Sequence, residues 1–195
     1  MSYRPSARSG LLIAAAFAAL SSSGRAQNPS SRGGTVGPGI SSRFVPANIM
    51  ERMREQADLP EANLLVTAPI ESVWTAYRAA LEALEVPVTF SEKAAWQMGT
   101  TQTKLYRRMG KQPLSNYFRC GEGSIGPNAD SYAVYVSLLA VLGAEPDGQV
   151  GVHTLIAAQA VDLAGGRNDA IDCTSTGRLE LRVANDVKRR LADLK

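Results

Sequence analysis

Ser131 to Leu139 reads SYAVYVSLL, and Gln149 to Val161 reads QVGVHTLIAAQAV. In the first stretch Tyr132, Val134, Val136 and Leu138 alternate with Ala133, Tyr135 and Ser137. In the second, Val150, Val152, Thr154, Ile156 and Ala158 share one parity, opposite His153, Leu155, Ala157 and Gln159. A period of two sends successive side chains to opposite faces of an extended chain, so both stretches read as strands. Between them Gly143 to Gly148 (GAEPDG) supplies the residues of a turn.

Outward from this pair the pattern changes to helical. Leu179, Val183, Val187 and Leu191 recur every four residues, and Lys188, Arg189 and Arg190 complement the C-terminal dipole. Thr174, Ser175 and Thr176 offer N-cap oxygens for that helix. Upstream, Asn63 to Thr67 (NLLVT) reads as a short strand, and Pro69 with Glu71 opens a helix. Its buried face is Val73, Tyr77, Leu81 and Leu84, with Trp74 and Ala80 alongside. Pro87 to Ser91 and Ala95 to Thr103 read as a hairpin around Glu92 and Lys93. The order β-α-β-β-β-β-α predicts an α+β domain, a two-layer antiparallel sheet with two helices on one face. Residues 61–195, about 135 in all, are enough for one core and show no internal repeat.

The N-terminus carries an address. Arg4 and Arg8 precede an apolar run from Leu11 to Leu20, and Gly24 and Ala26 fit small-x-small cleavage before Gln27. The run has ten residues, whereas a membrane-spanning helix needs roughly 20. Residues 1–26 are therefore expected to be a cleaved signal peptide of bacterial style, leaving no transmembrane segment and a periplasmic or extracellular destination. No cysteine precedes Cys120 to take a lipid, and no consecutive arginine pair marks twin-arginine export. Loss of Arg4, Arg8 and Arg25 turns 21 Lys+Arg against 18 Asp+Glu into 18 against 18, a net charge of zero. A general pull toward nucleic acid or anionic membrane is thus not expected. Residues 27–60 read as a flexible linker rich in Gly, Pro and Ser. Within it Pro46 to Ala57 has helix-forming composition, with Ile49, Met50 and Met53 on one side, as a short helix docking on the domain or on a partner.

The element order resembles the helix-grip arrangement. In its exported, tethered context it is similar to the domains of the lipoprotein component of the outer-membrane β-barrel assembly machinery. Cys120-Gly121 and Cys173-Thr-Ser-Thr-Gly177-Arg-Leu-Glu180 also resemble a group of uncharacterised exported bacterial proteins. The resemblance implies binding or scaffolding and transfers no catalytic residue. The lipidated cysteine is lacking, so outer-membrane anchoring does not carry over.

Cys120 and Cys173, the two cysteines of the chain, suggest a disulfide in an oxidising compartment. The alternatives are a catalytic thiol with His153, which needs a base in reach and a lowered pKa, or a metal pair, which needs about four ligands. Gly121 to Gly126 (GEGSIG) matches G-x-G-x-x-G on paper, but no helix is expected to open after it, so it reads as a glycine-rich turn. His153, the single histidine, lies on a strand, and Ser124 lacks the G-x-S-x-G frame because position 122 is Glu. Glu71 with Glu82, and Asp169 with Asp172, read as solvated surface.

One local asymmetry stands out. From Lys104 to Arg119 (KLYRRMGKQPLSNYFR), Lys104, Arg107, Arg108, Lys111 and Arg119 are five positives without a negative, interleaved with Tyr106, Tyr117 and Phe118. The segment reads either as a solvated crossover loop or as a ligand-binding surface for an anionic envelope lipid or polymer, or an envelope protein. The leading expectation is a non-enzymatic binding or scaffolding module of the cell envelope, without cofactor or nucleic acid. A small hydrophobic-ligand carrier, with Ala157, Ala158 and Ala160 leaving room beneath the last helix, and a hydrolase of an envelope polymer are the alternatives.

Overall fold

The computed structural model of the chain describes residues 42–57, 60–163 and 169–194. The expected signal peptide and nearly all of the expected tether lie outside the described residues. In chain order the elements are α1 (Ala47–Glu55), β1 (Asn63–Val66), α2 (Ile70–Ala83), β2 (Phe90–Glu92), β3 (Gln97–Tyr106), β4 (Arg108–Met109), β5 (Gln112–Pro113), β6 (Phe118–Arg119), β7 (Glu122–Gly123), β8 (Gly126–Pro127), α3 (Asn128–Ser131), β9 (Ala133–Ala144), β10 (Val150–Val161), β11 (Ala170–Ser175) and α4 (Arg178–Ala192). The class is α+β, with antiparallel strand pairing.

Strands β9 and β10 pair along their whole length, from Ala133 opposite Val161 to Ala144 opposite Val150. β3 lies on the free side of β9, with β2 and β4 beside it, and β5 follows β4. The free side of β10 is shared: β1 pairs with Val150 to His153, and β11 with Ala158 to Val161. Gly99 of β3 is a close-approach glycine, because a Cβ there would fall 1.9 Å from the carbonyl oxygen of Leu138.

Both faces of the central pair carry large apolar side chains. On one, Val134, Val136, Leu138, Ala140, Val152, Ile156 and Ala158 pack with Val73, Tyr77 and Leu81 of α2 and Leu179, Val183 and Val187 of α4. On the other, Leu139, Leu155 and Ala157 join Phe90 under Val45, Ile49, Met50 and Met53 of the α1 segment. The short helix expected in the linker therefore docks on the domain. It adds a third layer to the expected two, because the parity holding Leu139 and Leu155 is too apolar to be left in water. A helix of nine residues is marginal alone, and about 1.5–3 kcal/mol per buried aliphatic side chain is what holds it.

The end of α1 is also stitched to β11. Gln56 donates to the carbonyl oxygen of Cys173 at 3.2 Å, and its Oε1 accepts from Ser175 N–H at 3.0 Å. Arg52 meets Asp172 at 2.7 Å. Hydrogen bonds from Arg52 and then Gln159 hold the Asp172 carboxyl below its ordinary pKa.

The start of α4 departs from expectation. Thr174 and Ser175 complete β11, and the N-cap is Gly177, in the left-handed region with φ 76°. Ser175 Oγ instead accepts from Gly177 N–H at 3.1 Å and donates to Glu180 at 2.7 Å.

One polar contact spans the helix-facing core: Tyr77 Oη and Thr154 Oγ1 are 2.7 Å apart. Burial pushes the Tyr77 phenol pKa far up, so the hydroxyl stays protonated. Tyr77→Phe leaves the Thr154 hydroxyl without its partner and is expected to cost about 1–3 kcal/mol in denaturant melts, with Tyr77→Phe/Thr154→Val recovering part of the loss. Equal stability of wild type and Tyr77→Phe would contradict this role.

Candidate functional site

The candidate site begins with a change of parity in β3. Met98 lies opposite Ala140 and Thr100 opposite Leu138, so even-numbered residues face the helices at first. After an irregularity between Thr100 and Thr103, Thr103 lies opposite Val136 and Leu105 opposite Val134, and odd-numbered residues take that face. This is a β-bulge, with Gln102 in the left-handed region at φ 54°. Hydroxyls satisfy the groups that the ladder leaves open. Gln102 N–H donates to Ser137 Oγ at 2.9 Å, Thr101 Oγ1 donates to Phe44 O at 3.0 Å, and Thr100 and Thr103 share a short hydrogen bond.

A slip of one residue reverses which side chains face the core. Leu105 packs against the core, and Lys104 and Tyr106 are turned outward. Tyr106 is 53% exposed, with the Arg107 guanidinium 5.1 Å from its ring centroid. Arg107, left-handed at φ 63°, reverses the chain alone, so that Arg108 of β4 pairs back on Tyr106. Met109 and Leu114 anchor the β4–β5 hairpin in the helix-facing core, and Leu114 N–H donates to Arg107 O at 2.9 Å. Lys104, Arg107, Arg108 and Lys111 are all exposed, and none forms an ion pair with a described residue.

The other two residues of the expected surface separate from these four. Tyr117 is 2% exposed, and its hydroxyl accepts a short hydrogen bond from Arg182. As an amphipathic ring anchored from α4 it is a core residue, which corrects its place on the expected ligand surface. Arg119 is exposed on β6, paired with Thr174 of β11 at the far end of the strand order. The solvated crossover loop is also not what forms, since 104–119 contains the end of β3 and three short strands.

Pro113 of β5 and Phe118 of β6 stand on the first and last strands of that order. Five residues reach at most about 18 Å, whereas strands roughly 4.8 Å apart in a flat sheet would put these two further apart. The sheet therefore curls, and residues 107–132 cross its helix-facing side. The Cys120–Cys173 disulfide, closing a separation of 53 residues, fastens this crossing to β11. A loop of that length corresponds to about 4 kcal/mol in the chain-entropy model.

The remaining candidates fall elsewhere. Gly121 to Gly126 lies in the β7–β8 hairpin, with Ser124 and Ile125 as its turn. His153 sits at the β1 end of β10, with Nδ1 2.5 Å from Asn63 Oδ1, whereas Ser124 belongs to the separate β7–β8 hairpin. Glu71 pairs with Lys93 and Glu82 with Arg78. Asp172 pairs with Arg52, and Asp169 is exposed. Ala158 and Ala160 are buried on the helix side and Ala157 under α1. Among the described residues no group of three or more His, Cys, Asp or Glu is placed to hold a metal ion, and no helix is long and apolar enough to cross a membrane. No protein-family model matches the chain, and neither does any curated protein.

The bulge makes a sharp prediction. Deleting Gln102 alone takes out the extra residue and keeps Lys104 outward, whereas deleting Gln102 and Thr103 together turns Lys104 toward the helices and is expected to cost more than about 3 kcal/mol. Gln102→Gly keeps the bulge in an easier conformation and should change stability by no more than about 1 kcal/mol. A double-deletion variant melting like wild type would show that the register beyond the bulge does not set the facing of Lys104 and Tyr106.

Proposed function

We propose that the chain is an exported, non-enzymatic binding module of a bacterial cell envelope that contacts an anionic envelope component through the β3–β4–β5 edge. The observation that carries this reading is the exposed group Lys104, Arg107, Arg108 and Lys111, without an ion-pair partner among the described residues, around a half-exposed Tyr106. Surface cations are commonly paired or dispersed, and an unopposed cluster beside an aromatic ring suits phosphate or carboxylate groups. The disulfide fits an exported protein. A curled sheet over α2 and α4 supports the helix-grip-like reading and its likeness to the assembly-machinery lipoprotein domains, which implies binding or scaffolding.

The test is association of the purified mature protein with the envelope fraction of its own host. Charge reversal of Arg107 and Arg108 to Glu is expected to reduce binding at least about tenfold without lowering the melting temperature, and wild-type binding should weaken as salt rises. Association unchanged by the double reversal would remove this edge as the binding surface.

A further inference from the structure

The open end of the sheet, where Tyr106, Ala133, Val161 and Ala170 lie in one cross-strand row, carries more than cations. The β7–β8 hairpin stands there as well. Its first foot follows Arg119 and Cys120, which run along β11 from Thr174 toward Ala170, and its second foot leads through α3 into Ala133. The turn is Ser124-Ile125, and Ile125 is 86% exposed, the most exposed large hydrophobic side chain described. Leu163, just beyond Val161 at the same end, is 55% exposed.

A β-branched aliphatic residue is an unusual choice for a two-residue turn, where Gly, Asn and Asp fit better. The hairpin that holds it is firmly footed. Cys120 is bonded to Cys173, Asn128 N–H donates to Gly121 O at 3.0 Å, and Asn128 Nδ2 donates to Cys120 O at 3.1 Å. A Cβ at Gly123 would come within 2.7 Å of Asn128 Oδ1, so the hairpin lies close on that side chain.

From this placement we infer that the end of the sheet docks on an anionic lipid bilayer, with Ile125 entering the acyl boundary and Lys104, Arg107 and Arg108 meeting headgroup phosphates. A convex, rigid tip needs a partner that yields to it, and a lipid surface does. Charge complementarity comes from the exposed cations, which an anionic surface attracts, and one apolar insert adds to that attraction. Glu122, at the base of the hairpin, and the exposed Asp169, next to Ala170, have the sign that anionic lipid disfavours, so the hairpin supplies apolar contact and the β3–β4 edge supplies attraction. The inference rests on the proposed anionic recognition and names its partner.

The experiment is sedimentation of the disulfide-intact protein with vesicles of phosphatidylglycerol and phosphatidylcholine, against vesicles of phosphatidylcholine alone. Wild type should bind the anionic vesicles, and Ile125→Ser should weaken binding about tenfold with the melting temperature unchanged. Ile125→Trp should bind at least as well and gain fluorescence quenched by brominated acyl chains, beyond the wild-type background of Trp74 and Trp96. Anionic vesicle binding with no effect of Ile125→Ser and no quenching at position 125 would overturn insertion while leaving the cationic edge intact. Binding to the envelope fraction but to neither vesicle would overturn the lipid partner and point to an anionic polymer or protein. Binding to neither vesicle nor envelope would overturn this inference and the proposed function together.

Discussion

The twelve-residue pairing of β9 with β10 is the constraint on which the other elements depend. Every layer is laid on it. The parity of Val134, Val136 and Ile156 receives α2 and α4, and the parity of Leu139 and Leu155 receives α1. β3 adds to one edge, while β1 and β11 divide the other. A shift of one residue in this register would exchange the two faces, sending His153 and Gln159 into the helix layer.

The cationic edge follows from that hub by two local devices. The bulge at Gln102 turns Lys104 and Tyr106 outward over the last four residues that β3 pairs with β9. The disulfide then holds the crossing of residues 107–132 against β11, with Leu114, Tyr117 and Phe118 as its buried anchors. Exposed cations and buried anchors therefore alternate along one short segment. The surface is built on the end of β3 and on short strands held by buried anchors, and such fixed surfaces lose little conformational entropy on binding.

Much of this was legible in the residues. The alternation in 131–139 and 149–161 and the four-residue spacing of Leu179, Val183, Val187 and Leu191 led directly to β9, β10 and α4. The antiparallel α+β class follows from them, and two cysteines in a chain expected to be exported point to the bridge. The rest is hidden in the sequence for physical reasons. The run Thr100-Thr101-Gln102-Thr103 breaks the period of two without a Gly or Pro to mark it, so the sequence predicts a strand that stops at Thr103. Strands of two residues, such as β4 to β8, are too short to show any period. Tyr117 looks like a surface aromatic among cations, because the Arg182 that takes its hydroxyl comes from a helix 65 residues away. The sequence leaves the role of α1 open because its apolar side fits a partner as well as the domain.

Amide hydrogen exchange with the disulfide intact and then reduced tests this arrangement most directly. The slowest exchange should lie in β9 and β10 in both states, with Leu114 N–H and Tyr117 N–H protected while the bridge is intact. After reduction, exchange should quicken across residues 107–132 while the central pair stays protected. Fast exchange at Leu114 and Tyr117 in the oxidised protein, or loss of protection in β9 and β10 no later than in the crossing, would contradict a stable hub carrying a covalently fastened binding edge.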